Sequence, residues 1–242
     1  MVRPAQAESL SASNSAFYEQ LWSGAGLVRP DRYNTWPLIS RLTAQAPARL
    51  EIGPGMRPRL PIAGTHFLDM SQAAVCKLGA AGGLASAGRI TQLPYPDARF
   101  DLIAAFDIVE HEPDHIAALD EITRVLRPSG TLVLSVPLHQ DRWTRFDQTV
   151  GHCRRYEPDE LMRLLSARGL SVQQSALFGM QPRDGLFLKL ACWFLEHRRR
   201  EAIFWYNRLS GPLVRLFQRP LRLQPGLIDT RSVDEILLVC SH

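Results

Sequence analysis

Six apolar runs punctuate the chain, at 48–52, 65–69, 100–106, 131–136, 170–178 and 233–240, and each reads as a β-strand. A seventh short strand is expected at 89–92. The run from Phe100 to Phe106 is typical of a strand covered on both faces. Between the runs, apolar residues recur at helical spacing. Ser13 or Asn14 caps a short helix through Trp22, and a second helix spans about Asn34 to Gln45, stopped by Pro47. Further helices are expected from Ser71 to Leu78, Pro113 to Leu126 and Pro158 to Arg168, with Gly169 as the last one's C-terminal cap. The turn Arg127-Pro128-Ser129-Gly130 feeds the strand at 131–136. This alternation predicts an α/β fold, a parallel sheet flanked by helices.

Between the first two strands lie only Gly53 to Gly64. Pro54, Pro58 and Pro61 in that stretch leave no room for a full helix, because each proline removes a donor and clashes with the preceding turn. Residues 1–12 read as a disordered tail, 1–47 as tail plus helical cap, and 48–242 as the main domain. Within it, 179–228 form an insertion before the last strand.

The candidate chemistry begins at Leu50-Glu51-Ile52-Gly53-Pro54-Gly55, an apolar strand running into Gly-x-Gly, followed by a second strand that ends in Asp69. In open α/β sheets such glycines let backbone N–H groups approach a ligand, and such an acid accepts hydrogen bonds from a ribose diol. Arg57 and the prolines spoil the helix start of a dinucleotide fingerprint and argue against a nicotinamide-dependent oxidoreductase.

The segment Leu93-Pro94-Tyr95-Pro96-Asp97 through Phe100-Asp101-Leu102 to Glu110-His111, continued by Arg124-Val125-Leu126-Arg127-Pro128-Ser129-Gly130, adds specificity. Here the chain resembles the class I S-adenosylmethionine (SAM) dependent methyltransferases, of the group with an "LPFxDxxFDxVxxxxxxEH … RVLKPGG" pattern. The resemblance covers roughly Ala48 to Gly169. The later Asp147…Gly151-His152-Cys153-Arg154-Arg155-Tyr156 looks like a "DxxxGHxRRY" run of some bacterial members. It implies a Rossmann-like, seven-stranded methyltransferase sheet whose last strand is antiparallel. The N-terminal helical cap would close over the cofactor, and the C-terminal helical insertion would serve as a lid. The implied cofactor is S-adenosyl-L-methionine.

By the same resemblance, Glu51, Gly53 and Gly55 face the methionine part of SAM, and Asp69 holds its ribose. Met70, Thr91, Gln92, Leu93, Phe106, Asp107 and His111 complete the expected cofactor-binding set. For Asp69 the alternative is a helix N-cap ahead of Ser71; for the glycines it is an ordinary tight turn. Two departures stand out. Arg57 occupies the third glycine position, and Gly88-Arg89 replaces the Gly-Asp pair whose acid sits near the adenine amino group.

Methyl transfer from a sulfonium needs mainly alignment, and a base only when the acceptor carries a proton to be lost. His111, His139, Asp147 and His152 are the candidate bases, with Arg154 or Arg155 as anion holders. The competing reading pairs Asp147 with Arg154 or Arg155 and packs Tyr156 to order a loop. No metal is expected, since no cluster shows ligand spacing. The function implied is methyl transfer to O, N or C of a small-molecule or lipid-like acceptor; the alternative is a non-catalytic SAM-binding regulatory or scaffold protein.

With 45% hydrophobic and 21% charged residues, the 242-residue chain can bury a sizeable core. Its net charge of +4 is uneven. Nine basic residues against three acids between Arg183 and Arg222 make that segment +6 and leave the rest at −2, so the core offers no case for nucleic-acid binding. The insertion also holds seven of the twenty aromatics, including Phe187, Trp193, Phe194, Phe204, Trp205, Tyr206 and Phe217. It reads as a lid over an apolar substrate pocket, a peripheral membrane contact through 183–222, or a homodimer interface. Four scattered cysteines and the lack of an apolar signal core fit a cytoplasmic protein.

Overall fold

The computed structural model describes residues 15–179, 185–210 and 218–242. The expected tail and its capping residues Ser13 and Asn14 lie outside them, as do Arg183, Arg215 and Phe217 of the insertion. One sheet organises the molecule. β1 (Arg49–Ile52), β2 (Thr65–Asp69), β3 (Leu84–Ala87), β4 (Phe100–Phe106) and β5 (Leu126–Pro137) pair in parallel in the order β3-β2-β1-β4-β5. β6 (Ser171–Leu177), β7 (Gln224–Pro225) and β8 (Glu235–Ser241) continue it antiparallel, with β8 between β5 and β6.

Three details differ from the sequence reading. The sheet has eight strands rather than seven, because the two-residue β7 pairs with Gln174 and Ser175 at the outer edge. The third strand runs over 84–87, not 89–92: the Gly82-Gly83 turn releases the chain early, and an Arg89–Gln92 bridge closes 89–92 as a tight turn. Arg127 to Gly130 do not precede β5 but bulge within it. Phe100 pairs with Leu126 and Leu102 with Thr131, while Ser129 and Gly130 exchange backbone hydrogen bonds with His242.

Helices fill both faces. α1 spans 15–23 and α2 Trp36–Thr43. α3 (Gln72–Ala80) starts at Ser71, whose hydroxyl accepts from Ala74 N, and α4 (His115–Val125) starts at Asp114 in the same manner. α5 (Arg145–Val150) and α6 (Pro158–Ser166) follow β5, and α7 (Gly185–His197) with α8 (Arg199–Trp205) forms the insertion. As expected, 53–64 contains no helix.

β4 is buried on both sides, and from Leu102 onward its alternation decides which core each residue joins, the register shift after Phe100 placing that residue with Ile103 and Ala105. Phe100, Ile103 and Ala105 pack with Leu119 and Ile122 of α4; Leu102 and Ala104 pack with Leu38 and Ile39 of α2. A third cluster joins Phe17, Leu21 and Trp22 of α1 to Met56, Phe67, Leu78 and Ile203. That cluster seats the cap over the glycine-bearing loop. No helix among the described residues is long and apolar enough to cross a membrane.

Candidate active site

A cavity of about 230 Å³ opens at the carboxyl ends of β1, β2 and β4, where open α/β sheets bind ligands. Glu51, Gly53, Asp69, Met70, Phe106, Asp107 and His111 of the expected set line it. Gly55, Thr91, Gln92 and Leu93 do not; from the segment after β3, Gly88 and Ile90 line it instead.

Both sequence glycines have left-handed backbones, with φ +66° at Gly53 and +54° at Gly55. Packing adds a second demand. A Cβ on Gly55 would stand 2.2 Å from Trp22, and one on Gly53 would stand 2.5 Å from Ile108. Close approach of α1 therefore already requires glycine at 55. Asp69, at the end of β2, is nearly buried; its Oδ2 accepts from Gly55 N at 2.8 Å and its Oδ1 from Ser71 N at 2.8 Å. Ser71 itself is the helix cap. Burial raises the carboxyl's proton affinity, and these N–H donors oppose that rise.

Glu51 works as a latch. Its carboxylate accepts from Arg59 N at 2.9 Å and from Leu60 N at 2.9 Å, which fixes the proline-bracketed segment that replaces a crossover helix. Burial outweighs those donors and pushes its pKa up to about 7. The segment in turn presents two arginines that sequence reasoning passed over. Arg57, on the lost glycine position, stacks between Trp22 and Tyr206 and donates to the Tyr206 hydroxyl at 2.5 Å, tying cap to insertion. Arg59 lies 3.7 Å from the Tyr33 ring centroid with Phe106 and Phe178 beside it. Arg59 lines the cavity, where its guanidinium also feels the charges of Asp107 and Glu51.

Asp107 ends β4 in a left-handed conformation (φ +50°). Its Oδ1 accepts from the Ser135 hydroxyl at 2.6 Å, and the buried Glu235 carboxyl lies against it. Burial and the Asp107 charge hold Glu235 well above the ordinary carboxyl range.

The four candidate bases separate. His111 lines the cavity, with its Nε2 3.3 Å from the Tyr18 hydroxyl and its Nδ1 3.2 Å from Gly151 O. Burial, then the neighbouring His152, depresses its pKa to about 3, so the ring is neutral at physiological pH. His152 stands behind it, ring centroids 4.6 Å apart. Asp147 is fully buried and outside the lining. It forms a capping box with Thr144, receives both arms of Arg155 at 3.0 Å and accepts from His152 Nδ1 at 2.9 Å. Burial opposes ionisation there, but these bonds hold the carboxyl far below its ordinary range. Its place is therefore the structural one, orienting His152 and Arg155. His139 is also outside the lining, its Nε2 2.8 Å from Thr230 O. Arg154 grips the carbonyls of Glu112 and Pro113, which pins the 151–154 loop to the 110–113 loop.

Tyr18, Trp22, Arg57, Arg59, Glu110 and Glu235 are the contributors that sequence reasoning missed. Only Glu110, in the Glu-His pair, carried a local signal.

Residues 39–175 match the profile of a methyltransferase-domain family. A "probable S-adenosylmethionine-dependent methyltransferase" of Mycolicibacterium smegmatis is 32% identical over 90 residues, 36% of this chain and 35% of that one. A demethylmenaquinone methyltransferase of a Mycobacterium species is 36% identical over 101 residues, 36% of this chain and 44% of that one. The chain thus aligns to about a third of the length of the first of these relatives. In fold, a Haemonchus contortus phospholethanolamine N-methyltransferase 2, solved with phosphomonomethylethanolamine and S-adenosylhomocysteine, superposes with a TM-score of 0.56 at 12% identity, covering 95% of this chain and 58% of that one.

Proposed function

Because the chain belongs to the methyltransferase-domain family, whose cofactor is SAM, we propose that it transfers the SAM methyl group to a small-molecule, lipid-like acceptor. The observation that carries this is the cavity itself. Gly53, Asp69, Phe106, Asp107, Arg59 and His111 all line it, at the carboxyl ends of β1, β2 and β4. A nucleoside at Asp69 directs a methionine tail toward Arg59 and leaves His111 facing the acceptor. Alignment of donor and acceptor supplies most of the acceleration, within a general ceiling of roughly 7–11 kcal/mol. Neutral His111, paired with Tyr18, offers a hydrogen-bonding wall to an acceptor hydroxyl or amine.

Calorimetry with SAM and S-adenosylhomocysteine tests the reading. Binding in the micromolar range, on the order of 6–8 kcal/mol, is expected, and no binding to folded protein would end it. SAM binding without turnover on any acceptor pool would favour a regulatory SAM-binding module instead.

The insertion supports the acceptor class. Leu190, Trp193, Phe194, Phe204 and Trp205 are each 43–57% exposed, amid Arg198, Arg199 and Arg200. Aromatic and basic residues together suit an anionic lipid surface. The same segment touches the cavity wall through Tyr206 and Arg57. Vesicles containing anionic lipid should bind the protein and release it as salt rises, since exposed charge is screened within about 10 Å at 0.1 M. Salt-insensitive dimerisation without vesicle binding would overturn the membrane contact in favour of an interface between two copies.

A further inference from the structure

Glu110 is the anomaly of this molecule. It is fully buried, yet neither carboxylate oxygen has a hydrogen-bond donor among the described residues. Buried polar atoms are nearly always bonded, and an orphaned one calls for a proton, a water or an ion.

The neighbours identify which. His152 Nε2 is 3.9 Å from Glu110 Oε1. The other nitrogen of that ring faces Asp147 Oδ1 at 2.9 Å. An ionised carboxylate only accepts, so Nδ1 carries a proton, and Nε2 is the nitrogen left to face Glu110 and to offer a lone pair to a cation. His111 repeats the logic. Its Nδ1 faces the Gly151 carbonyl at 3.2 Å, and a carbonyl only accepts, so its Nε2 also bears a lone pair. One ligand atom from each of Glu110, His111 and His152 lies within 4.8 Å of the other two. Acceptors converge here, and among the described residues the donor facing them is the Tyr18 hydroxyl, 3.3 Å from His111 Nε2.

We infer that Glu110, His111 and His152 form a binding site for one divalent transition-metal cation of the zinc class. Two imidazoles and one carboxylate suit zinc, cobalt or iron rather than magnesium or calcium, which prefer all-oxygen shells. The outer shell is already built: Asp147, clamped by Arg155 and Thr144, sets the His152 tautomer in a carboxylate–histidine–metal arrangement. The two loops are held together by Cys153 N donating to Glu110 O at 2.7 Å. Ligands at about 2.0–2.2 Å from a tetrahedral zinc stand roughly 3.3 Å apart, so the trio draws in as the ion enters. Its path is the cavity, because His111 lines that wall. A proton on Glu110 is the competing occupant, but at 3.9 Å from His152 it makes no hydrogen bond there.

The test is metal binding by the full chain after chelator stripping, with Zn²⁺ followed by calorimetry and Co²⁺ by visible absorption. One equivalent should bind, with the intense ligand-field bands of a low-coordinate nitrogen–oxygen site and no thiolate charge-transfer band. Zn²⁺ should raise the melting temperature. Glu110→Gln and His152→Gln should each weaken binding at least tenfold, and an unchanged metal-free circular dichroism spectrum of Glu110→Gln shows that the variant is folded. Binding that survives both substitutions, a thiolate band from the cysteines, or no binding to wild-type protein would overturn the site. SAM calorimetry on the same sample separates the outcomes, since loss of metal binding with SAM binding intact sinks this inference alone.

Discussion

Five buried carboxylates border the cavity or stand just behind it; Glu235 is bonded to Asp107, and the other four fall into two kinds. Glu51, Asp69 and Asp147 are saturated with N–H donors from the Arg59–Leu60 segment, the Gly55 loop and Arg155 with His152. Glu110 is as buried as any of them and has none. The saturated acids are architecture: each converts its charge into the position of a loop. The unsaturated one keeps its lone pairs for something outside the chain's own hydrogen bonds. Burial alone therefore does not mark a functional acid in this molecule; the balance of donors around it does.

The sharpest way to break this contrast is Asp147→Ala, which strands the Arg155 guanidinium, 4% exposed, without its fork. A loss of about 3–5 kcal/mol in urea unfolding is expected. A loss under about 1 kcal/mol would mean that the saturated class is not architectural.

Next comes pH. The Glu51 carboxyl rises from an ordinary 4.5 to about 7 on folding, so the native state holds a proton that the unfolded chain gives up between those values. Its contribution to stability is full below about pH 4.5 and is lost as pH rises to about 7, a swing on the order of 3 kcal/mol. Denaturation midpoints across that window should fall with pH in wild type and flatten in Glu51→Gln.

Asp69→Ala should weaken SAM binding by about 1.5–3 kcal/mol, measured by calorimetry, because it removes the proposed ribose acceptor and frees the Gly55 N–H. Unchanged affinity would leave Asp69 as loop support alone.

The smallest effect is expected at Glu110. Without metal, burial and the Asp107 charge hold the Glu110 carboxyl well above its ordinary range, and Glu110→Gln has no hydrogen bond to lose, so thermal unfolding should shift by no more than about 0.5 kcal/mol. A large loss would place Glu110 with the saturated acids.

The sequence carried the sheet well, because strand pattern is local. The apolar run of Phe100–Phe106 and the Gly-x-Gly turn are each set by residues within a few positions of one another. It misplaced β3, since Leu84–Ala87 is small and half-exposed while Arg89–Gln92 merely resembled a strand. Of the set that the family resemblance implied, Gly53, Asp69, Phe106, Asp107 and His111 do line the cavity. Arg59 was not in that set, because its place over Tyr33 depends on a latch from Glu51 eight residues earlier. The Glu110–His111–His152 trio was equally hidden, as two adjacent residues meet a third only through the packing of separate loops.

β8 lies between β5 and β6, although residues 178–234 separate it from β6 in the chain. During synthesis, β5 has β4 on one side, but its other edge and the facing edge of β6 must wait for 235–241. Until then both edges stay open, the template on which nascent chains associate. A stop or stall after residue 178 would leave the cavity-bearing strands complete in sequence yet exposed along that seam. The segment 235–241 is thus the one that decides whether this sheet closes or aggregates.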